Sequence, residues 1–204
     1  MNTLQELKRS LKGDLSTLPK IKIAMDGDTA TQLLCTAIRG TGALRGYNIE
    51  LFEAEYSQVE QQLLIPTSDL HHFDADFIVV FQSTHKLGEK HSVLTSEKQL
   101  SLADDRLSFV ASFCENLALT NKKIIYFNYP EIDDTVFGSY ANKVESSFTY
   151  QVRKLNYELM NLSQLYPNLF ICDIADLQNK FGRDKMFAPN TYTSTEMVFR
   201  VDVL

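Results

Sequence analysis

Phe77-Ile78-Val79-Val80-Phe81 is the most strongly apolar run in the chain, and its reading decides the fold. Five such residues without a polar interruption suit a strand buried on both faces, the situation of a central strand in a parallel sheet. Outward from it, four further stretches read as strands: 20–25, the alternating 48–53, 123–127 and 169–172. Turn-forming residues close them, such as Asp26-Gly27-Asp28 after the first and Asn128-Tyr129-Pro130 after the fourth.

Helical patterns fill the intervals. Leu4, Leu7, Leu11 and Leu15 stand at helix spacing at the start. Leu33, Leu34, Ala37 and Ile38 predict a helix that Gly40 and Gly42 should stop. Ser57-Gln58-Val59-Glu60 is a capping-box pattern ahead of Leu63 and Leu64. A single helix is expected from about 97 to 119, with Leu100, Leu107, Val110, Phe113, Cys114 and Leu117 on its apolar face. The longest is expected from about 140 to 166, where Phe148, Val152, Leu155, Leu159, Leu162 and Tyr166 make one continuous seam. That seam reads as a stripe packed on the sheet, with a dimer seam as the alternative.

Strands alternating with helices predict right-handed crossovers and an α/β fold. The expectation is a three-layer α/β/α sandwich on a five-stranded parallel sheet, with the flavodoxin-like strand order 2-1-3-4-5. No repeat, low-complexity tract or Gly/Ser linker divides the 204 residues, so a single domain over 1–204 is expected. The apolar stretch 195–204 stops as if in mid-element, which a boundary inside a longer protein would explain.

Composition narrows the function classes. The net charge of −6, with no basic stripe, speaks against nucleic acid and anionic membranes as partners. No run approaches the ~18 apolar residues of a membrane span. Cys35, Cys114 and Cys172 are widely separated and odd in number, which fits buried thiols in a reducing, cytoplasmic compartment better than disulfides or zinc.

Ligands of open parallel sheets bind beyond the carboxyl ends of the strands. The residues expected there are Asp26, Asp28 and Thr29, then Gln82, Ser83 and His85, then Asn128, then Asp173. Asp28 and Thr29 are the candidates for chemistry; Gln82, Ser83, His85, Asn128 and Asp173 are the pocket candidates. Gly27-Asp28-Thr29 resembles the Gly-Asp-Ser nucleophile block of SGNH-type esterases, with threonine in the serine position. Thr29-Ala30-Thr31-Gln32 also reads as a helix cap, which would explain Thr29 without catalysis.

The histidines weigh against hydrolysis. A hydroxyl nucleophile needs a base to take its proton, and esterases of this type draw that histidine from near the C-terminus. All four histidines here, His71, His72, His85 and His91, precede residue 92, and none follows Asp173, Asp176 or Asp184. His85 is the topological substitute. Two other constellations stay open. Asp26-Gly27-Asp28 resembles the Asp-x-Asp loop of haloacid-dehalogenase-type Mg²⁺ phosphatases, with Asp133-Asp134 as the late acidic pair and Ala30 where threonine is expected. Asp69, His71, His72 and Asp74 are metal-ligand types in a short segment, read here as an exposed polar loop with no metal.

KIKIAMDGDTATQLL, IRGTGALRGYNIELFEAEYSQVEQQLL, DADFIVVF and the block from Val136 to Asp184 together resemble the N-terminal domain of FkbH-like proteins, a subgroup of the haloacid-dehalogenase superfamily. The resemblance implies an SGNH-hydrolase-like α/β/α domain preceding a Mg²⁺-dependent phosphatase-type domain. It further implies glyceryl loading onto an acyl carrier protein, or a place in polysaccharide or secondary-metabolite pathways. On that reading Mg²⁺ belongs only to the phosphatase-type domain, and this chain needs no cofactor. The expected role is accessory: binding or presenting a substrate or carrier protein from a degenerate SGNH site. An active ester hydrolase using Thr29 is the alternative, and an Asp26/Asp28 phosphatase the remote one.

Overall fold

The computed structural model describes residues 2–55, 58–120 and 122–203. Strands β1 (Lys20–Gly27), β2 (Asn48–Glu53), β3 (Phe77–Phe81), β4 (Lys123–Phe127) and β5 (Leu169–Cys172) form one sheet in the order β2-β1-β3-β4-β5. The pairing is parallel, with Ile23 opposite both Leu51 and Phe77, and Ile124 opposite Leu169. Helices lie on both sides, the α/β architecture expected. Every strand falls on one of the five stretches; β3, buried almost throughout, is contiguous apolar sequence, whereas the edge strand β2 alternates.

The chain divides into two compact units, residues 1–81 with 181–204, and residues 82–180. In the first, β1, β2 and β3 are joined by α1 (Leu4–Ser10), α2 (Gln32–Leu44), α3 (Val59–Leu64) and α4 (Asp69–Phe73). The second holds α5 (Thr84–Val93), α6 (Ser96–Leu100), α7 (Leu102–Leu117), β4, a 3₁₀ turn (Gly138–Lys143), α8 (Phe148–Leu165) and β5. Helix α9 (Ile174–Phe181) ends at the division, and α10 (Arg183–Met186) and α11 (Pro189–Thr195) complete the first unit.

Glycine does not end α2. The helix runs through Gly40 and Gly42 because each admits a neighbour that a side chain would exclude. A Cβ on Gly40 would stand 2.6 Å from the Leu7 carbonyl oxygen, and one on Gly42 2.3 Å from Ile49 Cγ1. The two glycines therefore let α1 and β2 close on α2, with Leu4, Leu7, Leu33 and Ala37 packed together in one cluster. Helix α2 ends instead just before Gly46, whose φ is +79°.

Two long helices expected from periodicity are each divided. Ser101 separates α6 from α7, and Leu100 is exposed rather than part of the apolar face. The stretch from 140 begins as a 3₁₀ turn, and α8 starts afresh where Ser147 Oγ accepts from the Tyr150 amide. The α8 seam packs inward as a stripe: Phe148, Val152, Leu155 and Leu159 are buried, and Leu162 and Tyr166 half-buried. Helix α1 stops at Ser10, so Leu11 and Leu15 lie beyond it. Cys35 and Cys114 are buried, but Cys172 is only half-buried, a correction to the uniform burial expected of the thiols. The Ser57 capping box lies outside the described residues. No helix among the described residues is long and apolar enough to cross a membrane.

Candidate functional site

The candidate residues divide between the two units. In the first, β1 is flanked by β2 and β3, so the peptide leaving it emerges from the middle of a three-stranded ladder. Asp26 is its penultimate residue, opposite Val80, and is fully buried. Neither carboxyl oxygen has a hydrogen-bond partner among the described residues. Burial, reinforced by the negative charge of Asp28, pushes the Asp26 carboxyl up to about 8. Asp28 is half-buried, and its amide donates to the Phe81 carbonyl at 3.2 Å.

Thr29 is also fully buried, and its hydroxyl has no partner among the described residues. It does not cap α2. The cap position belongs to Thr31, which makes no capping bond and instead donates to Glu53 Oε1 at 2.6 Å. The expected Thr29 capping box fails because the chain turns helical two residues later, and Ala30 N–H is taken up by the Glu196 carbonyl at 3.3 Å. Beside this loop lies a cleft of about 440 Å³, walled by Thr29, Thr31, Gln32, Glu53, Ala54 and Glu55. Its charged residues are both carboxylates, so it favours donors and disfavours a phosphate. Glu53 carried no sequence signal, because a strand-end glutamate looks like any solvent-facing position.

In the second unit Gln82, Ser83, Asn128 and Asp173 are all taken up in hydrogen bonds within the unit. Gln82 Oε1 accepts from Arg106 Nη1 at 3.1 Å and from Tyr126 OH at 2.9 Å. The Tyr126 and Tyr129 hydroxyls lie 2.6 Å apart, and both rings are fully buried. Arg106, Tyr126 and Tyr129 were not among the expected site residues; their apolar or helical context hid them. Ser83 caps α5 by accepting from the Lys86 amide at 3.1 Å. His85 sits in the first turn of α5, where burial lowers its affinity for a proton, opposed only in part by Glu89.

Asn128 and Asp173 do meet, but as a helix clasp. Asn128 Nδ2 donates to Asp173 Oδ1 at 2.8 Å, while Asn128 Oδ1 accepts from the Ile174 and Ala175 amides at 2.8 and 3.1 Å. Asp173 Oδ1 also accepts from the Asp176 amide at 3.0 Å. These bonds satisfy the first amides of α9.

The remaining constellations dissolve on inspection. His91 Nε2 pairs with the Ser146 carbonyl at 2.8 Å, and His71 Nε2 with that of Leu63 at 3.1 Å. Asp134 Oδ1 accepts from the Val136 and Phe137 amides, closing a turn. Among the described residues no group of three or more His, Cys, Asp or Glu could hold a metal ion, the 69–74 segment included.

The family model for the FkbH N-terminal domain matches residues 22–204. No curated protein matches the chain. Among solved structures, the chain is similar to that of the N-terminal part of the protein BF1531 from Bacteroides fragilis, containing a phosphatase domain and complexed with Mg. The identity is 57% and the TM-score 0.95, over 99% of this chain and 53% of that one, so the chain spans about half of its length. A lipase/acylhydrolase from Enterococcus faecalis matches with a TM-score of 0.57 at 14% identity, over 83% of this chain and 85% of that one. An acetyl xylan esterase, AlAXEase, matches at 0.51 and 14%, over 88% and 87%. At such identities the likeness is one of fold alone.

Proposed function

The chain belongs to the FkbH N-terminal domain family, and from that premise we propose that it is an accessory domain which binds a substrate or carrier protein for a catalytic partner. The observation that carries this reading is Thr29. By the resemblance of Gly27-Asp28-Thr29 to a Gly-Asp-Ser block its hydroxyl would be the nucleophile of an esterase, yet it is buried and hydrogen-bonded to no described residue. Without a base to accept the proton, attack on an ester carbonyl has no activated oxygen. What remains is a polar cleft beside β1 and β2 that can bind by hydrogen bonding.

The partner in this reading is a phosphatase-type domain of the same polypeptide. The support is that BF1531 carries such a domain and that this chain matches about half of the solved part. Mg²⁺ then belongs to that domain, and a glyceryl or acyl group on a carrier protein is the material presented. The Asp26/Asp28 phosphatase is disfavoured, because the Asp26 carboxyl is fully buried, which favours its protonated form over the carboxylate that attack on phosphorus requires.

The test is hydrolysis of p-nitrophenyl acetate by the purified chain, alongside Thr29→Ala and Asp26→Asn. Background rates for all three are expected, together with loss of carrier-protein binding when the cleft is altered by Glu53→Lys in the full-length protein. Turnover that disappears with Thr29→Ala would replace the accessory reading with an esterase.

A further inference from the structure

The loop after β1 is pinned by a segment distant in sequence. Glu196 ends α11 in the left-handed region at φ +55°, which turns its carbonyl to accept the Ala30 amide at 3.3 Å. The following residues run back over the start of α2. Val198 and Phe199 are buried, and with Met197 they close on Ala30, Leu33, Leu34 and Phe81, leaving a gap of only about 10 Å³. The Phe199 ring lies 5.2 Å from that of Phe81 and 6.2 Å from that of Phe187. Phe187 and Phe199 pair as an antiparallel bridge, and the Arg200 amide donates to the Met186 carbonyl at 3.0 Å. The segment is thus anchored at both ends, by backbone bonds and by aromatic packing.

At the start of the same loop, Asp26 and Thr29 are two of the fully buried polar residues whose side-chain oxygens find no partner among the described residues. Groups of that kind favour any conformation that gives them a partner, so something else must hold the loop where it is. The apolar contacts of the 196–200 segment are suited to do so.

We propose that residues 196–200 form a strap that holds the 26–31 loop in place and must lift before the Thr29 hydroxyl, buried although Thr29 walls the cleft, can be reached. The two states differ in the backbone bonds to Ala30 and Met186 and in one aromatic cluster, a small and local set of contacts. Lifting frees the Ala30 amide, removes Phe199 from between Phe81 and Phe187, and opens the loop to solvent. The device is independent of which ligand the cleft takes, so it stands or falls separately from the accessory role.

Thiol labelling measures it directly. In a Cys172→Ser background, which removes the half-buried native thiol, Thr29→Cys reports access to the loop through its rate of alkylation by iodoacetamide. With the strap intact, labelling is expected to be at least ten times slower than for an exposed thiol. Adding Phe199→Ala should raise it tenfold or more, while amide-exchange protection in β1 and β3 is unchanged. Equal rates with and without Phe199, or full reactivity with the strap intact, would overturn the proposal. If Phe199→Ala also loses sheet protection, Phe199→Leu decides, because it keeps an apolar filling and removes only the ring stacking. A smaller acceleration is then expected, and a rate unchanged from the parent refutes the strap.

Discussion

The loop after β1 and the loop after β4 both lie at the carboxyl ends of strands, and they treat their polar residues in opposite ways. After β4, Asn128 caps α9, Asn156 receives the Tyr129 amide at 2.9 Å and donates to its carbonyl at 2.7 Å, and Gln178 does the same for Glu131 at 2.9 and 2.6 Å. Arg153 adds a two-pronged contact to the Glu131 carboxylate. After β1, by contrast, the Asp26 carboxyl and the Thr29 hydroxyl are buried with no protein partner among the described residues. A polar residue at the mouth of a parallel sheet is thus no evidence of a site by itself. The residues left over after the scaffold has been satisfied are the better candidates.

Three experiments would break or sharpen that contrast. The largest effect is expected from Asp26→Asn, which imitates the protonated side chain. Asp26 is raised from 3.8 to about 8 in the folded state, so the unfolded chain gives up this proton first as the pH rises. Folding stability should therefore fall between pH 4 and pH 8 and level off above. The variant removes this loss, by up to roughly 5 kcal/mol at pH 8 and by little at pH 4. Denaturant melts at the two pH values measure the gap, and a gap independent of pH would mean that the carboxyl has a partner after all.

Asn128→Ala comes next. It leaves the Ile174 and Ala175 amides without their partner and removes one of the two bonds to Asp173 Oδ1, and should destabilise the chain by about 3 kcal/mol. Amide exchange should rise first at the start of α9. A loss below about 0.5 kcal/mol would show that this loop is no more committed than the other. Smallest is Thr29→Val, which replaces a buried, unpartnered hydroxyl by a methyl of similar size. It should stabilise by about 1 kcal/mol, read as a higher melting temperature. Destabilisation of that size would instead reveal a hydrogen bond at Thr29.

Much of the fold was legible and rather little of the site. The central strands could be read because double-sided burial demands unbroken apolar runs such as Phe77–Phe81 and residues 124–127. Helix ends were read less well. Gly40 and Gly42 look like stop signals until Leu7 and Ile49 are seen pressed against them, and Ser101 and Ser147 mark breaks that apolar spacing alone runs through. In the candidate site, Asp28, Thr29, Gln82, Asn128 and Asp173 all follow strands as expected. Yet the same positional argument could not distinguish the Asn128 clasp from the unpartnered Thr29.

By itself the sequence determined the order of elements, the parallel character of the sheet and the absence of any histidine after residue 91. These are properties of local pattern and composition, carried by neighbours along the chain. Only the tertiary structure decided which polar groups are satisfied and which are not. The partners come from far away in sequence: Gln82 meets Tyr126, Asn128 meets Asp173, and Ala30 meets Glu196. A buried polar group is costly or neutral according to those distant partners, and no local pattern encodes them.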